Sequence, residues 1–248
     1  MKTIVSWSGG KDSTYMLEEM LRRGEHIDEV VCCDTTIEFP EMLVHQQEFV
    51  KRHPELPITF LRPEHDFDYY MFEYVKKKGK YAGEKGMKWP NPNYIWCRGV
   101  LKLDPIEKYL KEKYGKGNYT TCIGIAYDEY GRYNPNAEKE NKRYPLIEWE
   151  KTELEAIINC HKMGYTWGRL YERFYRVSCF CCPLQSIKEL FMLYSFYPDL
   201  WQRMRDYDNR QTGRFRKDYT LAQLEEQFVA KRQLRDDLLS NVSGPAGD

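Results

Sequence analysis

Six residues near the start narrow what this chain can fold into more than any other feature. Ser8-Gly9-Gly10-Lys11-Asp12-Ser13 follows a short apolar run at 2–7 and leads into 12–23, where Tyr15, Met16, Leu17, Met20 and Leu21 recur at helical spacing. The reading is strand, tight turn, helix. Such a joint aims backbone N–H groups and the positive end of a helix dipole at one point, and Gly9 and Gly10 can supply positive φ there. Lys11 and the hydroxyls of Ser8 and Ser13 then complete a cradle for phosphate. The spacing is not that of a Walker A loop, which needs G-x-x-x-x-G-K-[ST].

The alternation continues. Gly24 stops the first helix, 27–33 reads as a second strand ending at Asp34, and 40–53 is a helix opened by Pro40. A third strand is expected at 58–61, helices at 67–78 and 100–114, and a further strand at 119–126. This pattern predicts an α/β fold, a parallel sheet sandwiched by helices. Two segments interrupt it: 79–94, rich in glycine and proline and read as a lid over a substrate, and 127–143, read as a polar surface loop. After Pro145 the chain is mainly helical. The expected division is a nucleotide-binding α/β domain at 1–149, a helical region at 150–240 carrying a group of cysteines, and a disordered tail at 241–248.

The 248 residues include 38 basic and 38 acidic side chains, so the net charge is zero and a histone-like polybasic binder is excluded. A local patch is not: 203–217 holds six basic residues against two acidic ones, interleaved with Tyr207 and Phe215. It reads either as a backbone-binding surface for RNA or DNA or as a solvated helix–turn. No run reaches the roughly 18–20 apolar residues of a membrane span, and no signal peptide is evident, so a cytoplasmic location is expected. Eight cysteines in that setting read as metal ligands, redox thiols or core residues rather than disulfides.

The SGGKDS hexapeptide resembles the PP-motif of ATP pyrophosphatases, and three further stretches narrow the resemblance to the phosphoadenosine phosphosulfate (PAPS) reductase-like branch. Asp34-Thr35-Thr36-Ile37-Glu38-Phe39-Pro40-Glu41 resembles its D-T-G-x-x-F-P-E segment, with Thr36 where glycine is usual. Trp96-Cys97 with Leu101-Lys102 and Pro105 resembles its Cys–Lys–Pro segment. Gly124-Ile125-Ala126-Tyr127-Asp128-Glu129 with Arg132 resembles its G-I-R-x-D-E-S-x-x-R stretch. The resemblance implies an adenine nucleotide alpha hydrolase-like fold in which ATP and Mg²⁺ bind and the nucleotide is cleaved to AMP and pyrophosphate. It makes Ser8, Gly9, Gly10, Lys11, Asp12, Ser13 and Asp34 nucleotide-binding residues, and Lys11, Asp12, Asp128 and Arg132 catalytic ones. No cysteine follows Cys182, so the C-terminal nucleophilic thiolate of sulfonucleotide reductases has no counterpart here.

Cys179-Phe180-Cys181-Cys182-Pro183 is the second strong signal: a C-x-x-C with a third thiol inside it, directly before an expected helix. By the same resemblance Cys97, Cys179 and Cys182 are ligands of a [4Fe–4S] cluster, with Cys181 or Cys160 as the fourth or one iron left open. Coordination chemistry alone admits Zn²⁺ equally. Cys32, Cys33 and Cys122 lie within expected strands and read as core. The expected function is adenylation of an acceptor, a nucleic acid such as tRNA or DNA or a small molecule, for iron–sulfur-dependent sulfur transfer. A sulfonucleotide reductase or binder is one alternative; a non-catalytic nucleotide- and cluster-binding subunit of a modification or defence complex is the other.

Overall fold

In the computed structural model of the chain, residues 1–177, 179–211 and 213–242 are described, 235–242 as backbone only. Five strands, β1 (Lys2–Ser6), β2 (Glu29–Cys33), β3 (Ile58–Leu61), β4 (Tyr119–Ile123) and β5 (Lys142–Arg143), form one sheet in the order β3-β2-β1-β4-β5. Every pairing is parallel, as strand–helix alternation requires. β2 is buried along its whole length, as a central strand covered on both faces should be. The fifth strand falls inside the stretch expected to be a loop. Its Lys-Arg dipeptide carries no apolar signal, and pairing with Thr121 and Cys122 of β4 is what makes it a strand.

Around the sheet lie α1 (Lys11–Arg22), α2 (Pro40–Arg52), α3 (Trp96–Arg98), α4 (Asp104–Tyr114), α5 (Pro145–Glu148), α6 (Glu153–Lys162) and α7 (Leu170–Arg173). Ile4, Val31 and Cys33 of the sheet pack on Ile106 and Leu110 of α4. Trp7 packs at a tilt on Phe49 of α2 with ring centroids 4.5 Å apart, and the His45 ring lies 4.6 Å from that of Trp167, centroid to centroid. Burial lowers the pKa of His45 to about 4, so it sits in that aromatic layer as the neutral imidazole. At the amino-terminal edge the buried Glu29 carboxylate accepts hydrogen bonds from Thr59, Tyr109, Lys113 and Tyr114 at 2.5–2.9 Å. Burial alone would raise its pKa, and the four donors together outweigh it and hold the group below the usual range. That end of the sheet is structural.

The opposite edge is open to function. The chain runs outward from β1 to β2 and β3, then crosses back to β4 and β5, so the order reverses between β1 and β4. Gly124, just past β4, lets α1 come close there: a Cβ at this position would stand 2.7 Å from the Cα of Ser13 and 2.8 Å from its amide nitrogen.

The chain groups into two compact units, Met1–Phe67 with Trp96–Phe180, and Asp68–Ile95 with the chain from Cys181 onward. This differs from the division expected at 149/150. Residues 150–180 stay with the sheet because α6 packs along α1, and 68–95 leaves it. The second unit contains α8 (Ile187–Phe196), α9 (Pro198–Arg210) and α10 (Leu221–Val242). Of the tail expected at 241–248, the first two residues end α10 and 243–248 lie outside the described residues.

Of the helix expected at 67–78 only 67–73 forms, most of it a π-helical turn at Tyr69–Glu73. Its polar groups are claimed from across the loop: Gly86 N–H donates to Tyr74 C=O at 2.8 Å and Lys76 N–H to Glu84 C=O at 3.0 Å. Gly86 has φ +74°, and a Cβ there would be 2.5 Å from the Met71 carbonyl oxygen. The 79–94 stretch is therefore not an open lid. It folds back within the second unit and buries Met87 and Trp89, the latter donating to Asp208 at 3.0 Å and meeting Phe215 edge-on at 5.0 Å.

Gly124→Ala should drive α1 from β4 and lower stability by about 1–3 kcal/mol. Urea unfolding would show this as a lower midpoint at unchanged slope.

Candidate nucleotide-binding site

The hexapeptide lies at the carboxyl end of β1, with Gly10 capping α1. Only Gly9 takes positive φ, +79°; Gly10 is extended at φ −72°, ψ 163°, so one glycine makes the turn and the other lets neighbours close in. Several backbone donors of the loop point at hydroxyls. Ser8 N–H donates to Ser13 Oγ at 3.2 Å, Gly10 N–H reaches Ser8 Oγ at 3.4 Å, and Lys11 N–H donates to the Tyr171 hydroxyl at 2.8 Å. Burial pushes the Tyr171 phenol up, keeping it an O–H group. The Gly9 carbonyl accepts the Trp167 indole N–H at 2.7 Å. Hydroxyl oxygens thus stand where phosphate oxygens would be held by a helix N-terminus.

Trp167 and Tyr171 come from a segment no motif announces. Trp167, Gly168 and Arg169 are all left-handed, with φ of 48°, 55° and 69°. Two of the three are not glycine, so the segment stores strain beside the loop it braces.

The Lys11 side chain is 7% exposed and is shared by two acids, Nζ lying 2.9 Å from each oxygen of Asp12 and 2.7 Å from Glu153 Oε1. Glu129 closes a trio: one carboxylate oxygen from each of Asp12, Glu129 and Glu153 lies within 4.8 Å of the others. Arg132 and Arg176 pair with Glu129 at 2.6 and 2.9 Å from exposed positions. Asp128 Oδ1 accepts the Glu153 N–H at 2.9 Å, and the Tyr175 hydroxyl donates to Glu153 Oε2 at 2.6 Å. Burial, reinforced by Glu153 and Glu129 and opposed by Lys11, raises the Asp12 pKa to about 6. For Glu153, burial acts upward, and the bonds from Lys11 and Tyr175 outweigh it, so its pKa is lowered.

Of the residues singled out in the sequence, Ser8 through Ser13 and Asp128 meet here, and Arg132 joins through Glu129. Asp34 follows β2 with both oxygens engaged locally, by Thr36 N–H at 2.8 Å and Arg62 at 2.8 Å. Thr36 itself has φ +66°, which explains glycine as the usual residue in the resembling segment; its hydroxyl is held in place by the Phe67 N–H at 3.1 Å. Sequence reasoning missed Glu153, Tyr171, Tyr175 and Arg176. The Thr152–Glu155 capping box does mark the start of α6, and so places an acid in its first turn, yet nothing local says that the turn faces Lys11.

The cysteines divide by burial. Cys32, Cys33 and Cys122 are core, their thiols pushed by burial to about 12, 11 and 11. Cys160 belongs with them: it is fully buried where α6 meets α1, its Sγ 3.5 Å from the Lys11 carbonyl, and burial raises its pKa. Cys97 on α3 and Cys179, which forms an antiparallel bridge with Glu38, are half-buried in the first unit. Buried Cys181 and half-buried Cys182 open the second.

Residues 2–185 match the phosphoadenosine phosphosulfate reductase domain, and the chain belongs to that family. An uncharacterised protein of Methanocaldococcus jannaschii is 30% identical over 218 residues, 82% of this chain and 42% of its own length. A nin region protein of Escherichia phage lambda, also uncharacterised, is 33% identical over 183 residues, 64% of this chain and 58% of its own. The chain thus spans about half the length of the curated relatives it matches. A PAPS reductase from Candida auris, solved as a phosphate complex, superposes with a TM-score of 0.47 at 14% identity, covering 72% of this chain and 82% of that one. Among the described residues no helix is long and apolar enough to cross a membrane.

The raised pKa of Asp12 sets a sign. Between about pH 4 and 6 the folded protein holds a proton that the unfolded chain has released, so this group makes stability fall as pH rises through that window, by about 3 kcal/mol at most. Urea midpoints of the wild type should drop between pH 4 and 6.5 relative to those of Asp12→Asn; parallel profiles would exclude the shift.

Proposed function

We propose that this chain is an ATP-dependent adenylating enzyme. An acceptor oxygen attacks the α-phosphorus of ATP, the bond to the β-phosphate oxygen breaks, and pyrophosphate leaves with its electron pair. The adenylated acceptor then loses AMP to a nucleophile, which is hydrosulfide in the sulfur-transfer form of the reaction. The observation that carries this reading is a buried lysine beneath a helix-N-terminal loop, shared between carboxylates. A triphosphate engaging Lys11 leaves Asp12, Glu129 and Glu153 facing further negative charge. These three carboxylates would hold Mg²⁺, whose charge offsets that of the phosphates.

Around the reacting phosphorus the protein's own groups have separable tasks. Lys11 would face the charge that develops on the phosphate oxygens, the kind of preorganised contact that usually contributes most to catalysis, and the loop amides would join it once the Ser8, Ser13 and Tyr171 hydroxyls they now meet give way. Asp128 holds Glu153 at the start of α6, and Arg132 and Arg176 hold Glu129. Ser8 and Ser13 can rotate their hydroxyls toward phosphate. Cys97, Cys179, Cys182 and Cys181 would hold the [4Fe–4S] cluster or Zn²⁺; the half-burial of Cys97, Cys179 and Cys182, against the four buried core thiols, supports those three. A bound cluster would supply the sulfide chemistry.

Calorimetry with ATP, with and without Mg²⁺, tests the nucleotide part, together with pyrophosphate release when candidate acceptors are added. ATP should bind only weakly without Mg²⁺, and Lys11→Ala should weaken binding about 100-fold, consistent with loss of a charge-assisted hydrogen bond. Tighter binding of a sulfonucleotide without Mg²⁺ would favour a reductase or binder, and ATP binding with no pyrophosphate under any acceptor would favour a non-catalytic subunit. Anaerobic protein should contain iron and labile sulfide, lost in Cys97→Ala and Cys182→Ala and kept in Cys160→Ala; stoichiometric zinc instead would leave a structural site.

A further inference from the structure

The basic stretch at 203–217 does not work as its sequence suggests. Tyr207 is buried with its hydroxyl on Asp68, Phe215 is buried against Trp89, and Arg216 turns inward to the Pro183 and Gln185 carbonyls at 2.9 and 2.6 Å. Neither ring can stack on a base. An exposed ring lies elsewhere in the same unit. Tyr81 is 48% exposed, and the ammonium groups of Lys76, Lys80 and Lys88 lie 5.4, 5.7 and 5.5 Å from its ring centroid. Like charges gathered round one aromatic ring repel each other, and an anion seated among them relieves that repulsion.

The surface extends from there. The side chain of Lys88 packs over Gly213, where a Cβ would meet it at 3.3–3.4 Å, and so joins the lysines to the following loop. Arg214 and Lys217 on that loop are exposed and make no ion pair among the described residues. Lys88, Arg214 and Lys217 line one cavity of about 600 Å³, together with Asn91 and Asn93. Residues 68–95 alone contain six lysines against three acidic residues. Two of those acids are already matched, Glu84 by Lys76 at 3.1 Å and Glu73 by Lys85 at 3.5 Å.

We propose that the second unit carries a docking surface for single-stranded nucleic acid, in which Lys80, Lys88, Arg214 and Lys217 contact backbone phosphates and Tyr81 stacks on an unpaired base. Cations spread over a continuous surface suit a phosphate chain. An exposed ring among them suits a base whose face is free, which a duplex does not offer. This surface lies wholly within the second unit and does not rest on the nucleotide reading of the first.

Fluorescence anisotropy without ATP tests it, using labelled oligo(U) and oligo(dT) of about 20 nucleotides. Binding should weaken linearly in log salt, and Lys80→Gln with Lys88→Gln should make the slope shallower by about 1.4, roughly 0.7 for each phosphate no longer neutralised. Tyr81→Ala should weaken binding about tenfold while Tyr81→Phe retains it. Circular dichroism of each variant should match the wild type. Absence of binding at low salt, equal affinity for a duplex of the same length, no effect of Tyr81→Ala, or displacement by polyglutamate as readily as by unlabelled oligonucleotide would each overturn the proposal; the last would mark a surface for an acidic protein.

Discussion

The pairing of Lys11 with Asp12 and Glu153 is the contact on which the rest of the first unit turns. It joins the first residues of α1 to the first residue of α6, two helices that begin 142 positions apart. Removing one partner of a buried pair strands a charge, at a cost of about 3–5 kcal/mol, so neither helix can shift without the other. Asp128 extends the tie to the loop after β4 by holding the Glu153 amide, and Glu129 carries it out to two surface arginines. The site proposed for a polyanion is thus built on a network rich in acids. Its charges balance only as a set, which leaves it sensitive to whichever ion arrives first.

The second unit answers a different electrostatic problem. The chain as a whole is neutral, yet 68–95, a segment that leaves the sheet and folds with the chain from 181 on, carries six lysines against three acidic residues. Zero net charge therefore says little about any one surface. Aromatic residues in this unit divide by depth: Trp89, Tyr207 and Phe215 form its interior, while Tyr81 stands at the turn where the chain reverses.

How much of this was legible in the sequence depends on how local each signal is. Strand–turn–helix at the hexapeptide, the parallel sheet and most helices follow from apolar spacing and from glycine and proline positions, which act over a few residues. The losses share a cause. β5 exists only because β4 offers it a partner; the 67–78 helix is cut short because 84–87 competes for its hydrogen bonds; and Tyr207 and Phe215 are buried by a segment more than 100 positions earlier. At the site, the residues of the hexapeptide and Asp128 could be named from sequence, whereas Glu153 and Tyr171 could not, since each meets the hexapeptide only through a long-range hydrogen bond. Cys160 shows the same limit from the other side: its neighbours in sequence leave its depth open, and only the packing of α6 on α1 buries it.

The bracing of the phosphate loop also has a consequence in time. Lys11 N–H waits for Tyr171, 160 residues later, and the Gly9 carbonyl for Trp167, 158 residues later. At about 5–20 residues per second, a ribosome needs roughly 10–30 s to deliver those partners after the loop has emerged. Until then β1 and α1 can form, but the turn between them has no clamp and its amides face water. The first-made part of the candidate site is among the last to be completed, because loop-closure entropy must be met before contacts of such high sequence separation can form. A nascent chain halted before α7 would hold the entire hexapeptide and still lack its finished shape.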